Sequence, residues 1–220
     1  FLFACLHHLR AQENRRWSDA LAVAGGAGIE TPSISVIYPI YFESVDVLGE
    51  VIDRARRCLR IPNLEIIFVD DGSPNREELR PLYDSLEDPR LRVINQNNGG
   101  KRNAQRTGFD VARGEFIVTV DSDTLIEPEG VLCIIAPMLE NHEIGAVTGD
   151  VRVANAKVNL LTRLIDLRYW IAFHLERAAQ SYFGSVLCCS GPFSAYRREV
   201  IHAVRDRYTS QRFMGQTCTY

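Results

Sequence analysis

The 220-residue sequence has no CxxC pair, no Cys/His spacing of the kind that holds zinc, and no apolar run of the roughly 20 residues a membrane-spanning helix needs. Its six cysteines, Cys5, Cys58, Cys133, Cys188, Cys189 and Cys218, are scattered, which predicts reduced thiols in place of a disulfide framework. Five histidines, His7, His8, His142, His174 and His202, likewise show no ligand spacing and read as surface or core residues. Positive charge is not in excess: 25 Lys and Arg against 28 Asp and Glu leave a formal net charge of -3. A protein that grips a phosphate backbone needs a cationic surface, so no nucleic acid partner is expected. The phosphate-binding pattern G-x-x-x-x-G-K-[ST] is missing too, as are internal repeats and low-complexity tracts. What remains is 46% hydrophobic and 24% charged, the composition of one ordinary folded domain.

The first residues, FLFACLHHL at Phe1 to Leu9, lead into the charged stretch RAQENRRW. Two readings stay open for them: a surface or buried helix, or the tail of a transmembrane helix with Arg10, Arg15 and Arg16 on its cytoplasmic side. A Gly-rich linker, AGGAGIETPS, then separates this N-terminal segment, residues 1–32, from a globular domain over 33–220. Strand-like runs at Ser33 to Ile40, Leu64 to Asp70, Leu91 to Ile94, Glu115 to Val120 and Ile144 to Thr148 alternate with helix-like stretches. The helices are expected after the N-cap candidate Ser44, around Arg76 to Leu86, from Lys101 to Ala112, and near Gly130 to Leu139. Such alternation predicts an α/β domain with a mostly parallel sheet, because parallel strands reconnect through helical crossovers. From Val158 to Gly184 a long amphipathic helix is expected, its Leu161, Leu164, Ile165, Leu167, Trp170, Ile171 and Phe173 mixed with Arg163, Asp166, Arg168, Glu176 and Arg177; core packing is the commoner use of such a face and a membrane contact the other.

In open α/β sheets ligands bind beyond the carboxyl ends of the strands. Two of the predicted strands end in acids: Asp70 and Asp71 before Gly72-Ser73, and Asp121 and Asp123 around Ser122. If the second segment is extended, its two carboxylates point the same way and suit one hard cation, Mg²⁺ or Mn²⁺. Asp-Gly-Ser is also ordinary turn chemistry, and Asp-Ser-Asp an ordinary helix cap. Between the clusters, Asn97-Asn98-Gly99-Gly100-Lys101-Arg102-Asn103 leads flexible glycines into a helix start with two cations, which fits a phosphate or a solvated turn.

Seven strings occur in order: VDDGS, NGGKRNAQ, VDSDT, TGDVRVAN, NLLTRLIDLRYW, ERAAQSYFG and CSGPFSAYRREV. Together they resemble the processive family 2 glycosyltransferases, above all the hyaluronan synthases and the nodulation chitooligosaccharide synthases. The resemblance implies a GT-A fold and an inverting hexosyltransferase that moves N-acetylglucosamine, with or without glucuronate, from a UDP-sugar donor to a polysaccharide acceptor. It implies that Asp71 binds the uracil or ribose with Asp70 beside it, that Lys101 and Arg102 face the diphosphate, and that Asp121 and Asp123 hold the metal. Cys189, Ser190, Gly191 and Pro192 would shape the acceptor-sugar site. The domain would be cytoplasmic, at a cell membrane reached through segments outside this chain, and the helix from Val158 would line the acceptor region near that membrane. Two departures stand out: Tyr41-Phe42-Glu43 has Phe where such enzymes carry Asn, and the acidic general base is expected after Tyr220, so no catalytic residue is assigned here. Were the base inside the chain, Asp150 would be the first candidate. A non-processive envelope-polysaccharide transferase and a nucleotide-sugar-binding module without turnover remain the alternatives.

Overall fold

The computed structural model describes residues 31–189, 191–210, 212–213 and 216–217; the expectations for residues 1–30 and for Ser190 lie outside them. Six strands form one sheet, β1 (Ile34–Ile40), β2 (Leu64–Asp71), β3 (Leu91–Gln96), β4 (Phe116–Val120), β5 (Ala146–Thr148) and β6 (Phe193–Arg197). Their order is β3-β2-β1-β4-β6-β5, and the first four in sequence run parallel. β6 lies antiparallel between β4 and β5. A two-stranded ribbon, Arg212–Phe213 with Gln216–Thr217, stands apart from this sheet.

β1 is buried at all seven positions because helices cover both faces of the sheet, so β-branched residues succeed one another without polar alternation. The side-chain period of two divides the core into two layers. Val36, Tyr38, Ile66, Phe68 and Val118 pack under α1 (Val45–Cys58), α2 (Arg76–Asp84) and α4 (Pro128–Glu140). Ile37, Ile67, Val69 and Ile117 pack under α3 (Lys101–Val111) and α7 (Arg198–Thr209). Helix α1 begins as its sequence predicts: Ser44 accepts the Val47 amide, with Asp46 in the first turn and Arg56 and Arg57 in the last. Each charge complements the helix dipole at its end.

Two features were not legible beforehand. β6 escaped because Phe193-Ser194-Ala195-Tyr196-Arg197 mixes polar and apolar residues, although Ser194 and Arg197 are as buried as their neighbours. The Arg197 guanidinium donates to the carbonyls of Met138, Asn141 and Ile144, satisfying acceptors at and beyond the end of α4. The stretch expected as one helix resolves into α5 (Leu160–Ile171), a π-helical turn over Ala172–Arg177, and α6 (Ala178–Tyr182). No residue of α5 is buried; Leu160 is 72% exposed and Leu161 65%. The expected core packing is therefore absent along α5 and begins only at Phe173 and Ala178. No described helix is long and apolar enough to cross a membrane.

Gly114 shows how tightly the turn into β4 abuts β1: a Cβ there would lie 2.5 Å from Ser35 N and 2.7 Å from Ile34 C. Backbone cannot step aside as a side-chain end can. Gly114→Ala is expected to destabilise the domain by about 2 kcal/mol, read as a lower urea midpoint at unchanged slope.

Candidate active site

Strand order reverses on either side of β1: the chain steps outward to β2 and β3, then returns to the other flank with β4. The carboxyl ends of β1 and β4 therefore border a crevice, the usual ligand position in such sheets. Pairing of β1 with β4 stops at Ile37, whereas pairing with β2 continues to Ile40. Pro39 has no N–H with which to extend a ladder there, so the sheet opens at the rim.

On β2, Asp70 is fully buried, with four hydrogen bonds from three residues: Ser73 N at 2.9 Å, Arg76 Nη2 at 2.8 Å and Nε at 3.2 Å, and Tyr83 Oη at 3.0 Å. Burial alone would raise its carboxyl; the bonds from Arg76, Ser73 and Tyr83 outweigh that and hold it below the usual range. Burial and the Asp70 charge push the Tyr83 hydroxyl well up, keeping it a donor. Asp71, 2% exposed, faces the other layer and accepts from Gln96 Nε2 at 2.6 Å, Gly99 N at 2.9 Å and Gly100 N at 2.7 Å. The amides that the sequence offered to a phosphate are thus taken by Asp71. Its described partners are the last residue of β3 and the glycine loop, and one lone pair of Oδ2 is left over among them.

That loop aims α3. Gly100 caps the helix at φ +85°, a left-handed conformation that glycine adopts without strain, and Lys101 follows as its first residue. The Lys101 ammonium pairs with the Asp121 carboxylate at the end of β4. The Arg102 guanidinium lies over the Tyr208 ring of α7, 5.8 Å from its centre. The Asp121-Ser122-Asp123 segment is a turn closed by Thr124 N on Asp121 O at 3.0 Å, which corrects the extended geometry assumed from spacing. Asp121 is half-buried and Asp123 exposed. Before β6, Pro192 O accepts the Asp121 amide at 3.2 Å, and a Cβ on Gly191 would come within 3.6 Å of Lys101 Nζ and 3.7 Å of Asp121 Oδ1. Of the residues read from sequence, Lys101, Asp121, Gly191 and Pro192 meet, and Asp123, two residues beyond Asp121 in the same turn, is exposed. Cys189 is half-buried; burial and the Cys188 thiol raise its own thiol, which Arg177 partly offsets.

No described group of three or more His, Cys, Asp or Glu side chains converges on one point. Two carboxylates, one already facing a cation and one open to solvent, do fit a hard ion that completes its shell with water and phosphate oxygens. The linking role of Glu43 and Ser73 was not read from sequence. Ser122 Oγ donates to Glu43 Oε1 at 2.6 Å, Asn75 Nδ2 to Glu43 O at 2.7 Å, and Phe42 N to Ser73 Oγ at 3.1 Å. Both sit just past a strand end, where the rule that found the aspartates would have found them. A shallow concavity lined by Glu115, His142, Arg197, Arg198 and Glu199 lies at the opposite end of β4 and takes no part.

Phe42 stands at φ +56°, costly for a bulky side chain, and is 65% exposed. Asparagine tolerates this backbone, so Phe42→Asn is expected to raise Tm by about 2 to 4 °C in differential scanning calorimetry. Asp70, lowered in the fold from an unfolded value of about 3.9, contributes stability that is full above that value and is lost as pH falls below about 4. Asp70→Asn is expected to lose about 2 to 3 kcal/mol at pH 7 and to flatten the decline of the urea midpoint between about pH 5 and 3.

Comparison with known proteins shows the family and the fold. The model of glycosyl transferase family 2 covers residues 35–205. An N-acetylglucosaminyltransferase of Neorhizobium galegae is 38% identical over 187 residues, 84% of this chain and 43% of that protein. Another, from Azorhizobium caulinodans, is 36% identical over 206 residues, 92% of this chain and 50% of that one. The chain thus spans about half the length of the curated relatives it matches. A mannosyltransferase from Pyrobaculum calidifontis, solved with GDP-Man and Mn²⁺, superposes with a TM-score of 0.63 at 18% identity, covering 92% of this chain and 57% of that one. That likeness makes the sheet and its helices a GT-A fold, as the sequence predicted. With the family model running from β1 through most of α7, this chain belongs to glycosyl transferase family 2.

Proposed function

We propose that this chain is the donor-binding part of an inverting transferase that passes N-acetylglucosamine from its UDP donor to a growing β-linked polysaccharide of the hyaluronan or chitin-oligomer type. The observation that carries the reading is the Lys101–Asp121 pair at the β1/β4 crevice, with Asp123 open beside it and Gly191 leaving room above it. An acid and a base that face each other across an open rim suit a metal-bound diphosphate: the carboxylates take the cation, and the ammonium turns to phosphate oxygens. The N-acetylglucosamine donor is inferred from the named activity of the rhizobial relatives.

In this mechanism Asp121 and Asp123 would hold Mg²⁺ or Mn²⁺, which would supply positive charge to offset that of the diphosphate. Lys101 orients the phosphates. Asp71 acts through the Gly99-Gly100 loop and borders the nucleoside end, with Asp70 buried behind it, while Arg102 stands one position along the same helix start. The Cys189-to-Pro192 turn borders the acceptor. The domain works on the cytoplasmic side of a cell membrane, which it reaches through other parts of a longer protein.

Isothermal titration calorimetry of the chain with UDP tests the reading. Affinity is expected to fall at least about tenfold with excess chelator, and Asp123→Ala is expected to remove most of the metal dependence. UDP binding that ignores both chelator and mutation overturns the metal assignment; no UDP binding with Mn²⁺ present overturns the donor site.

A further inference from the structure

We propose that Asp150, Arg152, Trp170 and His174 form a second subsite, beside the donor crevice, that takes a pyranose ring of the acceptor chain. It rests on the donor reading above and adds residues that reading does not use.

Two successive carbonyls ahead of and at the start of β6 bind its neighbours. Pro192 O takes the Asp121 amide on the β4 side, and Phe193 O takes the Gly149 amide at 2.9 Å on the β5 side. Since β6 lies between β4 and β5, Asp121 and Gly149 stand two strand spacings apart, about 10 Å, with the Gly191-Pro192 turn between them. Asp150 follows Gly149 and so borders that turn on the side away from Lys101.

Asp150 is surrounded by groups that bind neutral polar molecules. Its Oδ2 lies 3.5 Å from Arg152 Nε and 3.4 Å from His174 Nε2, while the side chain stays 46% exposed. The His174 ring stacks on Trp170 with centres 5.4 Å apart and planes 12° from parallel, and Trp170 remains 37% exposed. His174 belongs to the π-helical turn, a rare shape frequent at functional sites. Asp166 of α5 accepts the Val153 amide at 3.4 Å, and within the turn Arg177 lies over Phe173 at 4.3 Å. Through His174 the π-helical turn meets the segment after β5.

This chemistry selects a sugar. A pyranose presents an apolar C–H face, which an exposed indole covers, and a rim of hydroxyls that both donate and accept. A carboxylate accepts from them and a guanidinium donates to them.

The test uses the full 220-residue chain with UDP and Mn²⁺ and tri-N-acetylchitotriose as probe. Calorimetry is expected to show saturable trisaccharide binding, weakened about tenfold by Asp150→Asn and by Trp170→Ala but kept by Trp170→Phe, with UDP affinity unchanged in all three. In a Trp17→Phe background, which leaves Trp170 as the sole tryptophan, the trisaccharide is expected to shift the emission. UDP binding without trisaccharide binding, or trisaccharide binding indifferent to Asp150→Asn and Trp170→Ala, overturns the subsite and leaves the donor reading standing. Failure to bind UDP at all overturns both.

Discussion

Two adjacent carboxylates at the end of β2 face opposite layers of the molecule, and the arrangement of the rim depends on that. Side chains alternate across a strand, so Asp70 enters the layer of α2 and Asp71 the layer of α3. Burying two neighbouring acids is expensive unless each is matched by donors. Asp70 is matched by Ser73, Arg76 and Tyr83, which draws α2 and its leading turn onto the strand. Asp71 is matched by Gln96 and the Gly99 and Gly100 amides, which fixes the start of α3.

From that constraint the crevice follows. With α3 fixed, its first side chain reaches across to the end of β4, where Asp121 is held from behind by Pro192 O. Glu43 spans the gap from the β1 side, meeting Ser122 through its carboxylate and Asn75 through its carbonyl. The loops that follow β1, β2 and β4 and the turn before β6 thus form one bonded rim, and a change at one is felt at the others. Phe42 sits in that rim with a left-handed backbone while the chain on either side is anchored, so strain is stored in the rim itself.

The part beyond β5 is built on other terms. α5 keeps Leu160, Leu161 and Leu164 in solvent, yet the π-helical turn after it brings His174 to Asp150, and Phe173 and Ala178 into the packed interior. β6 is the element that makes this part belong to the sheet. It carries the turn before it between Asp121 and Gly149, and it enters antiparallel where all earlier pairings are parallel.

The sequence by itself determined the α/β alternation, the helix starts at Ser44 and Lys101, and the acids at the ends of β2 and β4, because strand-end placement depends only on local pattern. It also carried the family through seven ordered strings. Which donors those acids take, and which of them stay open, was decided by tertiary structure. Asp71 turned to a loop 28 residues away, and the Asp121-to-Asp123 segment closed into a turn instead of continuing as strand. The same holds for β6, whose Ser194 and Arg197 look like surface residues until β4, β5 and the end of α4 surround them. Periodicity reports which face of an element is apolar; it does not report what covers that face. For that reason α5 reads as a core helix in sequence and lies exposed in the structure.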